Sequence, residues 1–285
     1  MALPQFLVKR IPKQENIRKI RDLIDDCRIH SVCESAKCPN IGECFSQNTL
    51  TFMILGDLCT RNCRFCGIDK GIPFPPDPDE PKRIAQAVKR LKLNYVVITS
   101  VTRDDLPDGG ASQFARVIKS LRPLKVEALI PDFQGNQKAL KTVLEANPYV
   151  LNHNVETAPS LYPKIRPQAN YQQSLILLRR AKNKGTRPEQ SRGLYTKSGF
   201  MVGLGETKAQ VISVLKDLRS IECDFVTIGQ YLPPSKAHPK AERYVIPEEF
   251  EEYRDIGKSL GFLKVFSGPF VRSSYHAQEA AEKLT

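Results

Sequence analysis

The chain has 285 residues, 41% of them apolar and 26% charged, a balance that predicts a globular protein with a large buried core. Its 43 basic and 31 acidic residues leave a net charge of +12, yet the basic residues are scattered and no tryptophan or recognisable nucleic-acid module accompanies them. No apolar run approaches the ~20 residues that span a bilayer. We therefore expect neither nucleic acid nor a membrane as a partner. The basic excess fits an acidic protein partner or a solvated surface without a role.

The apolar pattern alternates between two periods, one typical of buried strands and one typical of helices. Short apolar runs rich in β-branched residues predict strands at 51–55, 95–99, 125–130, 149–152, 199–203, 224–228 and 263–266. Helical faces are predicted from Ile84, Ala87, Val88 and Leu91 and from Val211, Val214, Leu215 and Leu218. Helices are also predicted to begin at Pro81 and Pro247, and loops are predicted at 71–81 and 185–193.

This alternation of strand and helix predicts an α/β fold with right-handed parallel crossovers. About six β/α repeats are too few to close an eightfold barrel, so we expect an open, partial parallel β/α barrel. The barrel is predicted at 49–262, between an N-terminal cysteine-rich extension at 1–48 and a C-terminal extension at 263–285. We expect the three parts to form one compact unit.

Three cysteines, Cys59, Cys63 and Cys66, follow the first predicted strand with the spacing C-x3-C-x2-C. Three thiolates within eight residues can bind one small inorganic centre, but they are one fewer than a cubane iron–sulfur cluster or a structural zinc requires. One iron would therefore be open to a small molecule. In α/β barrels the carboxyl ends of the strands carry the active site, and this loop begins at such an end.

A second triplet, Cys33, Cys38 and Cys44, lies upstream with the spacing C-x4-C-x5-C. Disulfides suit small secreted domains, whereas this chain is long and is not expected to begin with a secretory signal. Zinc knuckles pair two C-x2-C units and ferredoxin-like double clusters use runs of four cysteines, and neither full pattern is present. We expect a reducing compartment: the cytosol or, for a mature chain, a plastid or the mitochondrial matrix. Cys27 and Cys223 are predicted not to be ligands.

Polar residues also follow other predicted strands, at 99–110, 152–157, 203–207 and 229–231. Because the carboxyl ends of parallel strands share one rim, we expect these segments to contribute to a common site. Each segment taken alone is also explained as a turn or a helix cap, and Thr207 is predicted to be a cap.

The first triplet resembles the signature of the radical S-adenosylmethionine enzymes, in which the open iron binds that cofactor. Both triplets together with three further segments resemble the lipoyl synthase family. Those segments are Asn152-His153-Asn154-Val155-Glu156-Thr157, Met201-Val202-Gly203-Leu204-Gly205-Glu206-Thr207 and Arg272-Ser273-Ser274-Tyr275-His276-Ala277. The resemblance extends from about Cys33 to Ala277. The chain departs from the family pattern at 184–195, where the segment that leads to Thr196-Lys197-Ser198-Gly199 is longer than usual. We expect this difference to alter a loop rather than the chemistry.

The resemblance implies a sulfurtransferase that inserts two sulfur atoms at carbons six and eight of an octanoyl chain, amide-linked to a lysine of a carrier domain. These carbons carry no activating group, so a radical made from S-adenosylmethionine is required. Two 4Fe–4S clusters are implied, one that cleaves S-adenosylmethionine and an auxiliary one that donates sulfur. The ligands implied are Cys59, Cys63 and Cys66 for the first cluster, and Cys33, Cys38, Cys44 and Ser274 for the auxiliary cluster, with Ser273 as the neighbouring alternative to Ser274.

Four residues of the rim are assigned to the binding of S-adenosylmethionine, each with a structural alternative. Asn154 and Glu156 are predicted to bind its ribose or its methionine amino group, or else to form a structural network. Gly203 and Gly205 would let the backbone approach the adenosine, or would only make a turn.

Two arginines and two histidines complete the candidate residues. Arg166 and Arg272 would orient the substrate or support the auxiliary cluster, or else form salt bridges. His153 and His276 are predicted to be structural rather than metal ligands.

The resemblance also implies partners. The substrates would be octanoylated lipoyl carrier domains, as in the E2 subunits of 2-oxoacid dehydrogenases and the H protein of glycine cleavage. A reductant such as ferredoxin or flavodoxin and an iron–sulfur carrier that rebuilds the auxiliary cluster are implied as well, and the enzyme is expected to be a monomer. Two alternatives stay open: another radical S-adenosylmethionine enzyme that thiolates RNA or protein, and a non-enzymatic iron–sulfur electron carrier, against which the open iron argues.

Overall fold

The computed structural model describes residues 3–9, 14–184, 194–275 and 277–282. The loop predicted at 185–193 and the residue His276 lie outside this described part of the chain. The strands are β1 His30–Ser31, β2 Thr51–Ile54, β3 Tyr95–Ser100, β4 Lys125–Leu129, β5 Val150–Asn152, β6 Tyr195–Val202, β7 Phe225–Gln230 and β8 Lys264–Gly268. The α-helices are α1 Gln14–Cys27, α2 Val32–Ser35, α3 Ile41–Ser46, α4 Glu80–Leu91, α5 Ala111–Ser120, α6 Gln137–Glu145, α7 Tyr162–Ile165, α8 Tyr171–Lys184, α9 Lys208–Ser220, α10 Pro247–Ser259 and α11 Ala277–Glu282.

The strands follow one another through the sheet in chain order, from β1 to β8. β1 pairs antiparallel with β2, and its partners are His30 with Met53 and Ser31 with Phe52. The pairs β2–β3, β3–β4, β6–β7 and β7–β8 are parallel. At least one α-helix lies between each two successive strands along the chain. The predicted fold class, an α/β chain with an open, partial parallel β/α barrel, is confirmed.

Every predicted strand is present, and the differences lie at the ends of elements. β6 begins at Tyr195, four residues before its predicted start. The sequence does not predict this first part because it contains buried polar residues such as Thr196 and Ser198, which interrupt the apolar pattern of a strand. α4 begins at Glu80, inside the predicted loop, with Pro81 in its first turn. β1 was not predicted because two residues are too short to show a period. Within the described residues, no helix is long and apolar enough to cross a membrane.

The described residues of Arg10–Arg61 and Cys66–Leu151 form one compact unit, called here the first unit. Its strands β2 and β3 are buried almost throughout. The helical face predicted in α4 is confirmed, because Ile84, Ala87 and Val88 are buried, while Leu91 at the end of the helix is half-buried. Burial of these aliphatic side chains removes apolar area from water and stabilises the helix against the sheet.

The described residues of Met1–Lys9, Asn62–Phe65 and Asn152–Thr285 form the second unit. The helical face predicted in α9 is confirmed, and its buried residues are Val211, Val214, Leu215 and Leu218. Thr207 is the N-cap of this helix, as predicted. Its Oγ1 accepts a hydrogen bond from the Gln210 N–H at 3.3 Å, and the Gln210 side chain accepts one from the Thr207 N–H at 2.9 Å. This reciprocal capping box satisfies two backbone donors that the helix leaves unpaired.

Candidate metal centre

The segment that carries Cys59, Cys63 and Cys66 is called here the first cysteine loop. The chain enters it from β2 through Leu55 and Gly56, whose φ angles are +70° and +87°. The Leu55 N–H donates to both oxygens of Glu80, at 3.0 and 3.2 Å, and its carbonyl accepts from Arg103 Nη1 at 3.2 Å. Glu80 is 5% exposed and also accepts a 2.6 Å hydrogen bond from Gln113. Burial raises the pKa of Glu80, although the hydrogen bonds from Gln113 and Leu55 oppose this rise. Two buried charged side chains, Glu80 and Arg103, thus bind the backbone N–H and the carbonyl of Leu55 at the start of the loop.

Replacing Glu80 by Ala should destabilise the protein by about 2 kcal/mol, because the buried Leu55 N–H loses its acceptor. Urea denaturation of the full-length chain measures this change. Glu145→Ala is the matched control, since Glu145 is 63% exposed and only faces Lys141 at 3.6 Å, and its effect should stay within about 0.5 kcal/mol. Equal effects for the two variants would show that Glu80 does not support the loop.

The first cysteine loop is joined back to its own later residues. The Cys59 N–H donates to the Asp69 carbonyl at 2.9 Å, and the Gly71 N–H donates to the Cys59 carbonyl at 3.2 Å. Cys59, Cys63 and Cys66 are all half-buried. The loop therefore follows β2 in the chain, as the sequence predicts, and carries three half-buried thiols.

The donor chemistry of this loop fits an iron–sulfur cluster. All eight cysteines lie in the described part of the chain, and each carries a thiol rather than half of a disulfide. Thiolates are the ligands that iron–sulfur clusters use. Among the described residues, no group of three or more His, Cys, Asp or Glu side chains is already arranged to hold a metal ion.

The second triplet lies on and between two short helices of the first unit. Cys33 is in α2, where its N–H donates to the N-cap Ser31 Oγ at 3.2 Å. The Cys38 N–H donates to the Cys33 carbonyl at 3.0 Å, and the Cys44 N–H in α3 donates to the Asn40 carbonyl at 2.9 Å. Cys38 and Cys44 are half-buried, whereas Cys33 is buried, and burial is the main cause that raises the pKa of its thiol.

The two remaining cysteines are buried and make protein contacts. Cys27 Sγ lies 3.6 Å from Arg90 Nη1. Cys223 Sγ donates to the Phe225 carbonyl at 3.3 Å, and burial followed by the nearby Asp224 raises its pKa to about 12. Cys223 lies outside both triplets and stays predicted not to be a ligand.

The segment 271–275 of the second unit is called here the C-terminal run. Asn154 and Glu156 lie beside it. Asn154 Nδ2 donates to Glu156 Oε1 at 3.1 Å and to Ser273 Oγ at 2.6 Å. The Glu156 N–H donates to the Gly199 carbonyl at 3.0 Å, and the Glu156 carbonyl accepts from the Met201 N–H at 2.8 Å, so the segment runs alongside β6. Among the described residues, the buried Asn154 Oδ1 has no hydrogen-bond partner. This acceptor fits a ligand that carries hydroxyl or amino donors, as S-adenosylmethionine does.

The two predicted arginines lie close to this pair. Arg166 is 8% exposed, and its Nη1 donates to the carbonyls of Asn154 and Val155 at 3.2 and 3.3 Å. Arg272 Nη1 donates to the Val271 carbonyl at 2.7 Å. Burial raises the pKa of Glu156, and the charge of Arg166, the Asn154 hydrogen bond and the charge of Arg272 oppose that rise. Arg166 therefore holds the backbone that carries Asn154 and Glu156.

The C-terminal run passes over two glycines of the sheet. A Cβ atom on Gly229 in β7 would clash with the Val271 carbonyl oxygen. A Cβ atom on Gly199 in β6 would clash with Thr227 Oγ1 and lie 3.1 Å from Ser273 Oγ. Only glycine permits this close approach. Ser273 rather than Ser274 contacts Asn154, and Ser274 is half-buried beside it.

Gly203 and Gly205 adopt φ angles of +93° and +113°, which favour glycine. The Gly203 N–H donates to Glu206 Oε1 at 2.6 Å, and a Cβ on Gly203 would clash with Gln230 and the Arg243 carbonyl. The positive φ angles explain the two glycines as parts of a turn, and their approach to the adenosine stays a prediction. His153 lies 3.0 Å from Ser174 Oγ through its Nε2 and is buried, in agreement with its structural assignment.

Sequence reasoning overlooked two features of the first cysteine loop. Phe65, between Cys63 and Cys66, packs in a hydrophobic cluster of the second unit whose members include Ile165, Leu204, Tyr231 and Met201. Arg61 is buried between two carboxylates that follow other strands. An aromatic residue and an arginine inside a cysteine motif were the available signals, but neither shows its partners in the sequence.

The family model of the radical S-adenosylmethionine superfamily matches residues 53–218. The lipoyl synthase of Caldanaerobacter subterraneus subsp. tengcongensis is 54% identical over 277 residues, which cover 96% of this chain and 95% of the relative. The lipoyl synthase of Chlorobium limicola is 52% identical over 281 residues, which cover 97% and 94%.

Two solved structures show the same fold at low sequence identity. Methylornithine synthase has a TM-score of 0.54 and 14% identity, covering 92% of this chain and 80% of its own. SuiB of Streptococcus suis bound to S-adenosylmethionine has a TM-score of 0.55 and 11% identity, covering 84% of this chain and 52% of its own. The fold, the cysteine loop at the end of β2 and the matching family model define a radical S-adenosylmethionine enzyme. Within that superfamily, the chain belongs to the lipoyl synthase family. The predicted family, enzyme class and use of iron–sulfur clusters with S-adenosylmethionine are thereby confirmed.

Proposed function

We propose that this enzyme inserts two sulfur atoms at carbons six and eight of an octanoyl chain that is amide-linked to a lysine of a lipoyl carrier domain. The observation that carries the proposal is the presence of two separate sets of three thiols in a chain that is 54% identical to a lipoyl synthase over 96% of its residues. When bound, S-adenosylmethionine with its 4Fe–4S cluster supplies the radical that an unactivated carbon requires, and the auxiliary 4Fe–4S cluster supplies sulfur.

The residues that would hold these groups are proposed as follows. Cys59, Cys63 and Cys66 are the ligands of the cluster that works with S-adenosylmethionine, and the incomplete set leaves one iron for that cofactor. The auxiliary cluster is assigned to Cys33, Cys38, Cys44 and Ser274. A serine oxygen matches iron less well than a thiolate, so the Ser274 corner is suited to detach as sulfur is removed.

The chain's own residues contribute binding and orientation. Asn154 Oδ1 is a buried acceptor with no partner in the described chain, and Glu156 lies next to it, so the pair is proposed to bind the ribose hydroxyls or the amino group of S-adenosylmethionine. Arg166 keeps the pair in position through the carbonyls of Asn154 and Val155. Arg272 is proposed to steady the C-terminal run that carries Ser274.

The partners and organisation are proposals that extend the function. The substrates are octanoylated E2 subunits of 2-oxoacid dehydrogenases and the H protein of glycine cleavage. A ferredoxin or flavodoxin donates electrons, an iron–sulfur carrier rebuilds the auxiliary cluster, and the enzyme acts as a monomer without nucleic acid. Eight thiols and two clusters suit a reducing compartment, proposed to be the cytoplasm. The parts 1–48, 49–262 and 263–285 are proposed to carry the auxiliary cysteines, the barrel and the serine run.

The proposal is tested by anaerobic reconstitution with iron and sulfide, followed by an octanoyl-lysine peptide, S-adenosylmethionine and a reductant. Mass spectrometry of the peptide should show the addition of two sulfur atoms, with methionine and 5′-deoxyadenosine formed in the same reaction. Iron near eight per chain without any sulfur transfer would overturn the substrate assignment, although the cluster assignment would stand.

Changing Ser274 to Ala should strongly reduce sulfur insertion while leaving cleavage of S-adenosylmethionine largely intact, because only the auxiliary cluster loses a ligand. Ser273→Ala is the matched control for the adjacent hydroxyl, which hydrogen-bonds Asn154. Quantitative peptide mass spectrometry and 5′-deoxyadenosine assays measure the two steps. If Ser273→Ala blocks sulfur insertion and Ser274→Ala does not, the fourth ligand is Ser273.

A further inference from the structure

Arg61, between Cys59 and Cys63, is almost completely buried, with 4% of its side chain exposed. Its guanidinium makes paired hydrogen bonds to two carboxylates. Nε and Nη2 donate to Asp104 at 2.6 and 2.9 Å, and Nη1 and Nη2 donate to Asp132 at 2.8 and 2.7 Å. Such bidentate, charge-assisted pairs are strong and directional, so they fix the orientation of the arginine.

The two carboxylates come from two different strand ends of the first unit. Asp104 follows β3, and its side chain is 22% exposed. Asp132 follows β4, is 1% exposed and is itself held in place because its Oδ1 accepts from the Gln134 N–H at 3.0 Å. Arg61 therefore joins the cysteine loop to the loops after β3 and β4.

Thr60 adds a second set of bonds to the same loop after β3. Its N–H and its Oγ1 both donate to the Thr102 carbonyl, at 3.1 and 2.9 Å. Its Oγ1 also accepts from the Asp104 N–H at 3.0 Å. Of the two residues that directly follow Cys59, Thr60 is thus anchored through its main chain and side chain, and Arg61 through its side chain.

We infer that Arg61, paired with Asp104 and Asp132, is a positioning residue that holds the segment from Cys59 to Arg61 in place before iron is bound. Its consequence for cluster assembly rests on the proposed function, but its effect on the loop does not. A loop that is ordered in advance avoids losing conformational freedom at the moment of binding. The planar fork of arginine can serve two carboxylates at once, whereas the single ammonium of lysine has no such geometry.

The inference is tested with Arg61→Lys, Arg61→Gln and Asp132→Asn in the full-length chain. Arg243→Lys is the matched control, because Arg243 makes a bidentate pair with Glu249 at 2.7 and 2.7 Å outside the cysteine segments. Thiol alkylation of the metal-free chain by iodoacetamide, read residue by residue by mass spectrometry, reports the opening of the loop. The buried Cys27 and Cys223 serve as internal references for global unfolding.

We expect the Arg61 and Asp132 variants to raise the alkylation rates of Cys59, Cys63 and Cys66 by about tenfold, with Cys27 and Cys223 unchanged. The control should match the unaltered chain. In a background that carries Cys33→Ala, Cys38→Ala and Cys44→Ala, the variants should also release reconstituted iron to a chelator about tenfold faster. In these variants, the change that S-adenosylmethionine causes in the electron paramagnetic resonance spectrum of the reduced protein should also be smaller.

Unchanged alkylation of the three cysteines would overturn the inference. The inference would also be overturned if the alkylation rates of Cys27 and Cys223 rose as much as those of the three loop cysteines in all three variants. The arginine would then support the whole fold rather than the loop. Selective alkylation in a protein that transfers no sulfur would leave the positioning role in place and reject only the proposed function.

Discussion

Cys63→Ala should abolish both cleavage of S-adenosylmethionine and sulfur insertion, whereas Cys38→Ala should abolish sulfur insertion and leave cleavage in place. The two cysteines belong to separate triplets, and in the proposed assignment only the first triplet leaves an iron open to the cofactor. Each variant should bind about four iron atoms per chain instead of about eight. Iron and sulfide analysis, 5′-deoxyadenosine release and peptide mass spectrometry measure the three quantities on one preparation.

Cys223→Ala is the control for this pair of variants, because Cys223 is buried and its pKa is raised to about 12. It should keep the full iron content and both activities. Loss of S-adenosylmethionine cleavage in Cys38→Ala would contradict the assignment of cleavage to the first triplet and of sulfur donation to the second. Loss of iron in Cys223→Ala, at unchanged thermal stability, would add a ligand that neither the spacing nor the burial predicts.

Gly229→Ala should reduce sulfur insertion by about 100-fold while the cleavage of S-adenosylmethionine changes much less. The added methyl group would clash with the Val271 carbonyl and so would push the C-terminal run away from β7. Ser274 lies three residues further along this run and is the proposed fourth ligand of the auxiliary cluster. The iron content of the auxiliary site and the yield of dithiolated peptide measure the effect.

Gly268→Ala is the matched control, since its added methyl group would lie 3.4 Å from Val271 Cγ2, at the near edge of ordinary contact. It changes the same region without displacing the run, so both activities should stay within about a factor of two of the unaltered enzyme. Thermal melting of both variants separates loss of fold from local displacement. Full sulfur insertion by a folded Gly229→Ala enzyme would show that the position of the run does not limit the reaction.

Elements with a strong local signal were predicted well. The faces of α4 and α9, the cap at Thr207 and the proline start of α10 depend on residues a few positions apart. The start of β6 was missed because buried polar residues such as Thr196 do not look apolar, and their burial depends on contacts with Asp224, which is 28 residues away. β1 was missed because it is only two residues long.

The cysteine spacing by itself identified the class of chemistry, because thiolate number and spacing are properties of the chain. The same motif contained Arg61, but its partners Asp104 and Asp132 are 43 and 71 residues away, so their pairing is visible only after folding. The contact between Asn154 and Ser273 spans 119 residues and likewise depends on the path of the C-terminal run over Gly199 and Gly229.

The sequence alone therefore determined which atoms are available: two sets of three thiols, a terminal serine run and the alternating pattern that builds a parallel sheet. The tertiary structure decided which distant residues hold these segments in place. Glu80 and Arg103 bind the backbone N–H and carbonyl of Leu55, and Ser273 rather than Ser274 accepts a hydrogen bond from Asn154. The physical reason is that donor type and local period are encoded within a few residues, whereas buried hydrogen bonds and ion pairs join residues that only the folded chain brings together.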